Sequence, residues 1–153
     1  MYHRPIVPPG FIAPARQDGP GFHLRMLTIH DVVKDFDAVI SAGTRLHGVT
    51  EPHGTWPDGL TLEENLIDLA WHQREFTINH SFAYTVMNDD STRCLGCGYI
   101  NPSDWPDWDA IALYWARDPA MDAALGKTFR TLVARFPITR VAFLGRDQPW
   151  PAA

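Results

Sequence analysis

Apolar positions recur along this chain with two different periods, and the switches between them lay out its elements. Phe22, Leu24 and Met26 alternate with His23 and Arg25, the two-residue period of a half-buried strand. Val32, Val33, Phe36, Val39, Ile40 and Leu46 then return at helical spacing, behind Thr28 and Asp31 at the offset of a capping box. Gly43 and Gly48 loosen the end of that helix, and a loop rich in Gly, Pro and Thr runs to Gly59. A second capping box, Thr61 with Glu64, opens a longer helix. Its expected buried stripe is Leu62, Leu66, Leu69, Ala70 and Phe76.

Three apolar segments follow, 82–87, 94–100 and 110–116, with a polar hairpin turn at 88–92 between the first two. Asp118-Pro119 predicts a helix start, a capping carboxylate with proline at the first helical position. Leu125, Phe129, Leu132, Val133 and Phe136 form the core face of that helix, Pro137 stops it, and 140–144 reads as a last short strand. The predicted order is strand, helix, helix, three strands, helix, strand. That is an α/β domain over 22–145, with a tail at 146–153.

Residues 1–21 hold five of the thirteen prolines and show no periodicity. Proline fixes φ and removes a donor, so this segment is expected to be an extended arm. It is either a surface tail or a strap that buries Ile6, Val7, Phe11 and Ile12 over an exposed edge.

A net charge of −5 and scattered Lys and Arg leave no electrostatic footprint for nucleic acid or an anionic membrane. No apolar run approaches the roughly 20 residues of a membrane span, and the early prolines break any signal-peptide core. A cytoplasmic protein is expected. Two cysteines make no disulfide framework. Cys94 and Cys97 have redox-motif spacing but lie in a strand, so they read as reduced, buried small hydrophobes. Gly96 and Gly98 fall on one strand face and predict a bulge or a close approach by another group. His72 and Glu75, three apart on the second helix, read as a solvated pair, and no metal site is expected. Trp105 and Trp108 stand beside Asp104, Asp107 and Asp109. They could hold a cationic amine by cation–π and ion pairing, or fold over a hydrophobic edge.

The strings Phe82-Ala-Tyr-Thr-Val86, Leu95-Gly-Cys-Gly-Tyr-Ile100 with Pro102, Asp109-Ala110, Trp115-Ala-Arg117 and Gly145-Arg146 with Trp150, in this element order, resemble the GNAT N-acetyltransferase superfamily. The resemblance is to its small bacterial members of unassigned substrate. It implies a mixed, mainly antiparallel sheet flanked by helices, truncated after the fifth strand. It also implies acyl transfer from acetyl-CoA to a small-molecule amine. By that resemblance the backbone of Tyr114, Trp115 and Ala116 meets the pantetheine arm. The following loop and helix, with Arg117, Ala123, Leu125, Gly126 and Lys127, meet the pyrophosphate. Asp109 is then the expected base, with Tyr84 as the second catalytic candidate and Trp105 and Trp108 as substrate contacts.

Two departures keep a second reading open. The phosphate loop has no glycine before Gly126 and carries Asp118 and Asp122, and the elements that normally follow the fifth strand are absent. The alternative is a non-catalytic relative that binds a ligand or partner through the same groove. The uncovered edge at 140–144 predicts a homodimer, since unpaired strand groups invite a second chain.

Overall fold

The structure is a computed structural model that describes residues 4–152. The first three residues of the expected arm and the last of the tail lie outside the described residues.

Six strands form one sheet in sequence order: β1 (Arg16–Gly19), β2 (Phe22–Met26), β3 (Phe82–Asn88), β4 (Cys94–Pro102), β5 (Ala110–Ala116) and β6 (Val141–Phe143). The first four pairings are antiparallel and only β5–β6 is parallel. Helices α1 (Val32–Ala42) and α2 (Leu62–Thr77) connect β2 to β3, and α3 (Asp122–Val133) connects β5 to β6. The three central segments are consecutive antiparallel strands, as their alternation predicts.

β1 corrects the boundary at residue 22. The last part of the expected arm is a strand, joined to β2 by a tight turn through Pro20 and Gly21. Gly21 has φ +80°, the value a type II turn requires after a proline. The expected fourth strand is therefore β5 and the expected fifth is β6. The rest of the arm is a strap after all, though over a face rather than the β6 edge. Asn79 donates to the Phe11 carbonyl at 2.6 Å and Tyr84 Oη to the Pro14 carbonyl at 2.8 Å. Val7 is buried and Ile6 and Phe11 pack on the core, whereas Ile12 faces solvent.

The sheet is covered on both sides. One face sets Leu24, Phe82, Tyr84, Val86 and Ile100 against α3, through Leu125, Phe129 and Leu132. The other sets Cys97, Tyr99, Leu113 and Trp115 against α1 and α2, through Val39, Ala38 and Leu69. The buried stripe of α2 is not the one its leucines suggest. Leu62, Leu66 and Ala70 are exposed, while Asn65, Leu69 and Glu75 are buried. On α1, Val33 and Ile40 are likewise exposed and Asp35 is buried. Both helices have turned polar residues inward, for a reason given below.

The two glycines of β4 mark close approaches, as expected. The β3–β4 register shifts between Val86 and Met87, which leaves Leu95 as a bulge beside Gly96. A Cβ at Gly96 would lie 2.3 Å from the Trp115 carbonyl oxygen, and one at Gly98 would lie 2.6 Å from the Phe129 ring. The absence of a side chain at Gly98 is what lets Phe129 seat on the sheet. Gly98→Ala should therefore destabilise the fold by about 1–3 kcal/mol through overpacking, read as a shift of the urea midpoint at unchanged slope.

Candidate active site

A cavity of about 420 Å³ lies between the sheet and the helix pair. Its floor is Tyr99 of β4 with Ile111 and Leu113 of β5, and Trp56 closes it from the loop between the helices. Asn65, Leu69 and His72 share one face of α2 because they are four and three residues apart. Together with Asp35 from α1 they form the helical wall. This is why the helices turn polar groups inward: the groups line a cavity rather than fill a core.

Asp35 is 4% exposed. Asn65 Nδ2 donates to its Oδ2 at 2.8 Å. Burial pushes this carboxyl up to about 6, against the Asn65 hydrogen bond, with Asp31 and Asp68 pushing the same way. Asp68, at the rim, is raised first by its partial burial and then by Glu64. His72 is pushed down to about 4 by burial, so its ring is neutral at neutral pH. It lies on Tyr99 with ring centres 5.4 Å apart. Trp115 Nε1 donates to Tyr99 Oη at 3.1 Å, and Trp56 meets Trp115 edge-on at 6.2 Å. Among the described residues no Lys or Arg lines this cavity, whereas Asp35, Asp68 and Glu51 do.

A second, smaller cavity of about 230 Å³ opens where β5 and β6 part. The two strands pair only from Ala110 to Ala112 and from Val141 to Phe143. Beyond that the outer side of β5 has no partner strand, and Arg146 enters the gap. Its Nη2 donates to the Tyr114 carbonyl at 3.0 Å, and its guanidinium lies 3.9 Å over the Tyr114 ring. Two further bonds, of 2.6 and 2.9 Å, tie Arg146 to Asp122 at the start of α3. A Cβ on Gly126 would lie 2.5 Å from Tyr114 Oη, so this glycine admits the tyrosine against α3.

The expected site residues fall into separate groups. Tyr114 lines the smaller cavity, and Trp115 and Ala116 are buried on opposite faces of β5. Arg117 turns to α1, donating to Asp37 at 2.7 Å and Ser41 at 2.9 Å. Leu125 and Gly126 face the core, while Ala123 and Lys127 are exposed. Asp118 caps the helical turn before α3, accepting from the Ala120 amide at 2.9 Å. Asp109 stands at the other end of β5 and is exposed, where its hydrogen bonds to Arg140, the closest at 2.9 Å, hold its carboxyl below the usual range. Tyr84 is fully buried on the α3 face, where burial raises its phenol well above the ordinary value. Trp105 packs edge-on with Trp108 at 6.2 Å and with Trp150 at 6.3 Å, folded over the sheet.

Cys94 and Cys97 are free and buried, and burial pushes the Cys94 thiol up to about 12. Glu75 pairs with His80 at 2.5 Å. Among the described residues no group of three or more His, Cys, Asp or Glu is placed to hold a metal ion. Asp35, Asn65, Asp68 and Tyr99 were not singled out by the sequence. On the helices the signal is a polar residue on the face turned to the sheet, at Asp35 and Asn65; Tyr99, in β4, gives no such signal.

No family model and no curated protein matches this chain. Solved structures do. Ribosomal-protein-S5-alanine acetyltransferase from Vibrio fischeri superposes with a TM-score of 0.64 at 12% identity, over 79% of this chain and 66% of that one. A putative GNAT-family acetyltransferase from Bordetella pertussis gives 0.64 at 12% identity, over 88% and 81%. Mycobacterium smegmatis RimJ, in complex with CoA-disulfide, gives 0.62 at 13%, over 82% and 64%. The chain thus spans about two thirds of the length of the first and third of these structures. At such identities the likeness is one of fold. Among the described residues no helix is long and apolar enough to cross a membrane.

The buried carboxylate has a pH signature. Because burial raises the folded-state value of Asp35, its ionisation costs nothing at low pH and its full cost is present above about pH 6. Asp35→Asn should therefore be more stable than the parent at pH 8, by about 2–3 kcal/mol, and nearly equal to it at pH 4. Urea denaturation at the two pH values reads the difference.

Proposed function

We propose that this chain, which has the fold of the GNAT acetyltransferases, transfers an acyl group from acyl-CoA to a small-molecule amine. The observation that carries this reading is the placement of two cavities along one strand. Leu113 lines the larger and the next residue, Tyr114, lines the smaller. A donor in the gap between β5 and β6 and an acceptor on the α1–α2 side would meet at the middle of β5.

The gap suits an acyl-CoA in its chemistry. The outer backbone of β5 beyond Ala112 lacks a partner strand among the described residues, and Arg146 supplies a cation at the start of α3. Helix N-termini attract anions because their first amides lack intrahelical partners. When bound, the cofactor supplies the thioester that the amine attacks, leaving as free CoA thiol. Asp35 is the group suited to take the proton that the ammonium must lose, since a base works best when its pKa approaches the operating pH. Tyr99 and Trp56 orient the acceptor. In this reading Asp35 takes the role that the family resemblance gave to Asp109, which Arg140 engages.

A specific observation also favours a non-catalytic ligand-binding relative. Arg146 occupies the gap and uses the Tyr114 carbonyl, while Arg117 is held by α1. The cytoplasm as the site of action and a homodimer across 140–144 or the tail through Trp150 belong to the same reading. β6 has only three residues and an open outer side.

Acetyl-CoA should raise the melting temperature. Asp122→Asn should tighten its binding in calorimetry, because Arg146 loses its carboxylate partner and becomes available to phosphate. Absence of binding by either protein would leave the non-catalytic reading in its place.

A further inference from the structure

We infer that the outward face of α2 is a docking surface for a second copy of this chain, whose own α2 lies antiparallel on it about a two-fold axis midway between Ile67 and Ala70. The inference does not rest on the acyl-transfer reading. The face is also separate from the strand edge at 140–144.

The first ground is where α2 puts its apolar residues. The larger cavity explains why Asn65 and His72 turn inward, but not why the side turned to water is apolar. Leu66, Ile67, Trp71 and, at the end of the helix, Ile78 are exposed, Ile67 at 60% and Trp71 at 52%. At 3.6 residues per turn, Glu63, Ile67, Ala70 and Arg74 stand within about 60° of one another around the helix. Leu66 and Trp71 flank that line on its two sides. Beside it runs a shallow groove of about 360 Å³, lined by Ile29, Ala70, Gln73, Arg74, Thr77 and Ile78. Single exposed hydrophobics need no explanation, but a strip of them along one helix, rimmed by charge, marks a contact surface.

The second ground is the order of residues in the strip, which is complementary to its own reverse. Glu63 stands at the start of the helix and Arg74 near its end, with the apolar residues between them. In an antiparallel pair Glu63 meets Arg74 of the second copy, Leu66 comes level with Trp71, and Ile67 with Ala70. All three pairs share one midpoint, as an isologous two-fold contact requires. Ala70 is small, so the helices can approach closely near the axis, and the second copy's Leu66 arrives beside the groove. Arg74 Nη1 lies 3.6 Å from Glu75, but that carboxylate is already engaged by His80 at 2.5 Å, so Arg74 can turn outward.

This complementarity selects the occupant. A helix that lies on an anionic lipid surface flanks its apolar strip with Lys and Arg, whereas this one has Glu63 and Glu64 in its first turn and the chain carries a net charge of −5. A helix of another protein would not require the strip to match its own reverse. Trp71 belongs both to this face and to the lining of the larger cavity, so the second copy adds an apolar wall beside that cavity's rim.

The test is sedimentation of the full chain from about 5 to about 200 μM, the range expected of a contact built on one helix from each copy. The parent should show a monomer–dimer equilibrium, and Ile67→Glu should remove it. Glu63→Arg and Arg74→Glu should each weaken the dimer about tenfold, because each puts like charges together twice across the axis. Combining the two in one chain should restore it. Residues 63 and 74 are about 16 Å apart along their own helix, so only a contact between copies can produce that rescue. Circular dichroism checks that each variant keeps its fold. A monomer at the highest concentration overturns the inference, and a monomer that pellets with phosphatidylglycerol vesicles assigns the face to lipid instead. A dimer that Ile67→Glu leaves intact also overturns it and points to the 140–144 edge. So does a double variant no better than the single ones.

Discussion

All seven residues of β5 are buried, so both of its faces must be covered before the strand can exist at all. Ala110, Ala112 and Ala116 keep the α3 face low, which lets Leu125 and Phe129 approach, and Gly98 on β4 extends that hollow. Ile111, Leu113 and Trp115 stand on the other face under the helix pair. A strand buried on both faces also has to satisfy its backbone along both edges. β4 serves one edge throughout, and β6 serves only the first half of the other. The second half is where Arg146 donates to a carbonyl that no strand reaches. The proposed donor site is thus a direct outcome of an incomplete pairing.

The opposite face shows a different compromise. A core that stability alone had shaped would not put Asp35 and Asn65 beneath two helices while Val33, Ile40, Leu62 and Leu66 face water. The buried pair instead lines a cavity, with the carboxylate bonded to a neutral amide. Stability given up at a site is the usual mark of function in a fold that otherwise agrees with its sequence.

The sequence was legible where one residue type has one structural use. The Thr61 cap, accepting from the Glu64 amide at 3.1 Å, and the Asp118-Pro119 start both stand where their chemistry puts them. The glycines of β4 and the core face of α3 do so as well. β1 was missed because its four residues, Arg-Gln-Asp-Gly, carry no apolar alternation. Its signal was the turn, Gly19-Pro20-Gly21, and turns punctuate strands even where the strands are polar. The site was harder to see. A helix with leucines on one side and Asn, Asp and His on the other is ordinarily read with its leucines inward. Here the polar side faces in, and only the cavity it meets explains why. Asp109 and Tyr84 were candidates through the family resemblance, which does not reveal that one has an arginine beside it and the other is buried on the α3 face.

Three of the six tryptophans are tied to the larger cavity, and this has an optical consequence. Trp56 and Trp71 line it, and Trp115 touches Trp56 and donates to the hydroxyl of Tyr99 on its floor. Trp105, Trp108 and Trp150 form a cluster of their own. An indole's emission responds to the polarity and charge beside its ring. Anything that enters the cavity displaces water from two indoles and changes the field around a third, while the separate cluster contributes a steady background. The protein therefore carries a built-in fluorescent gauge of its own occupancy, and unlabelled material reports the arrival of a ligand in real time.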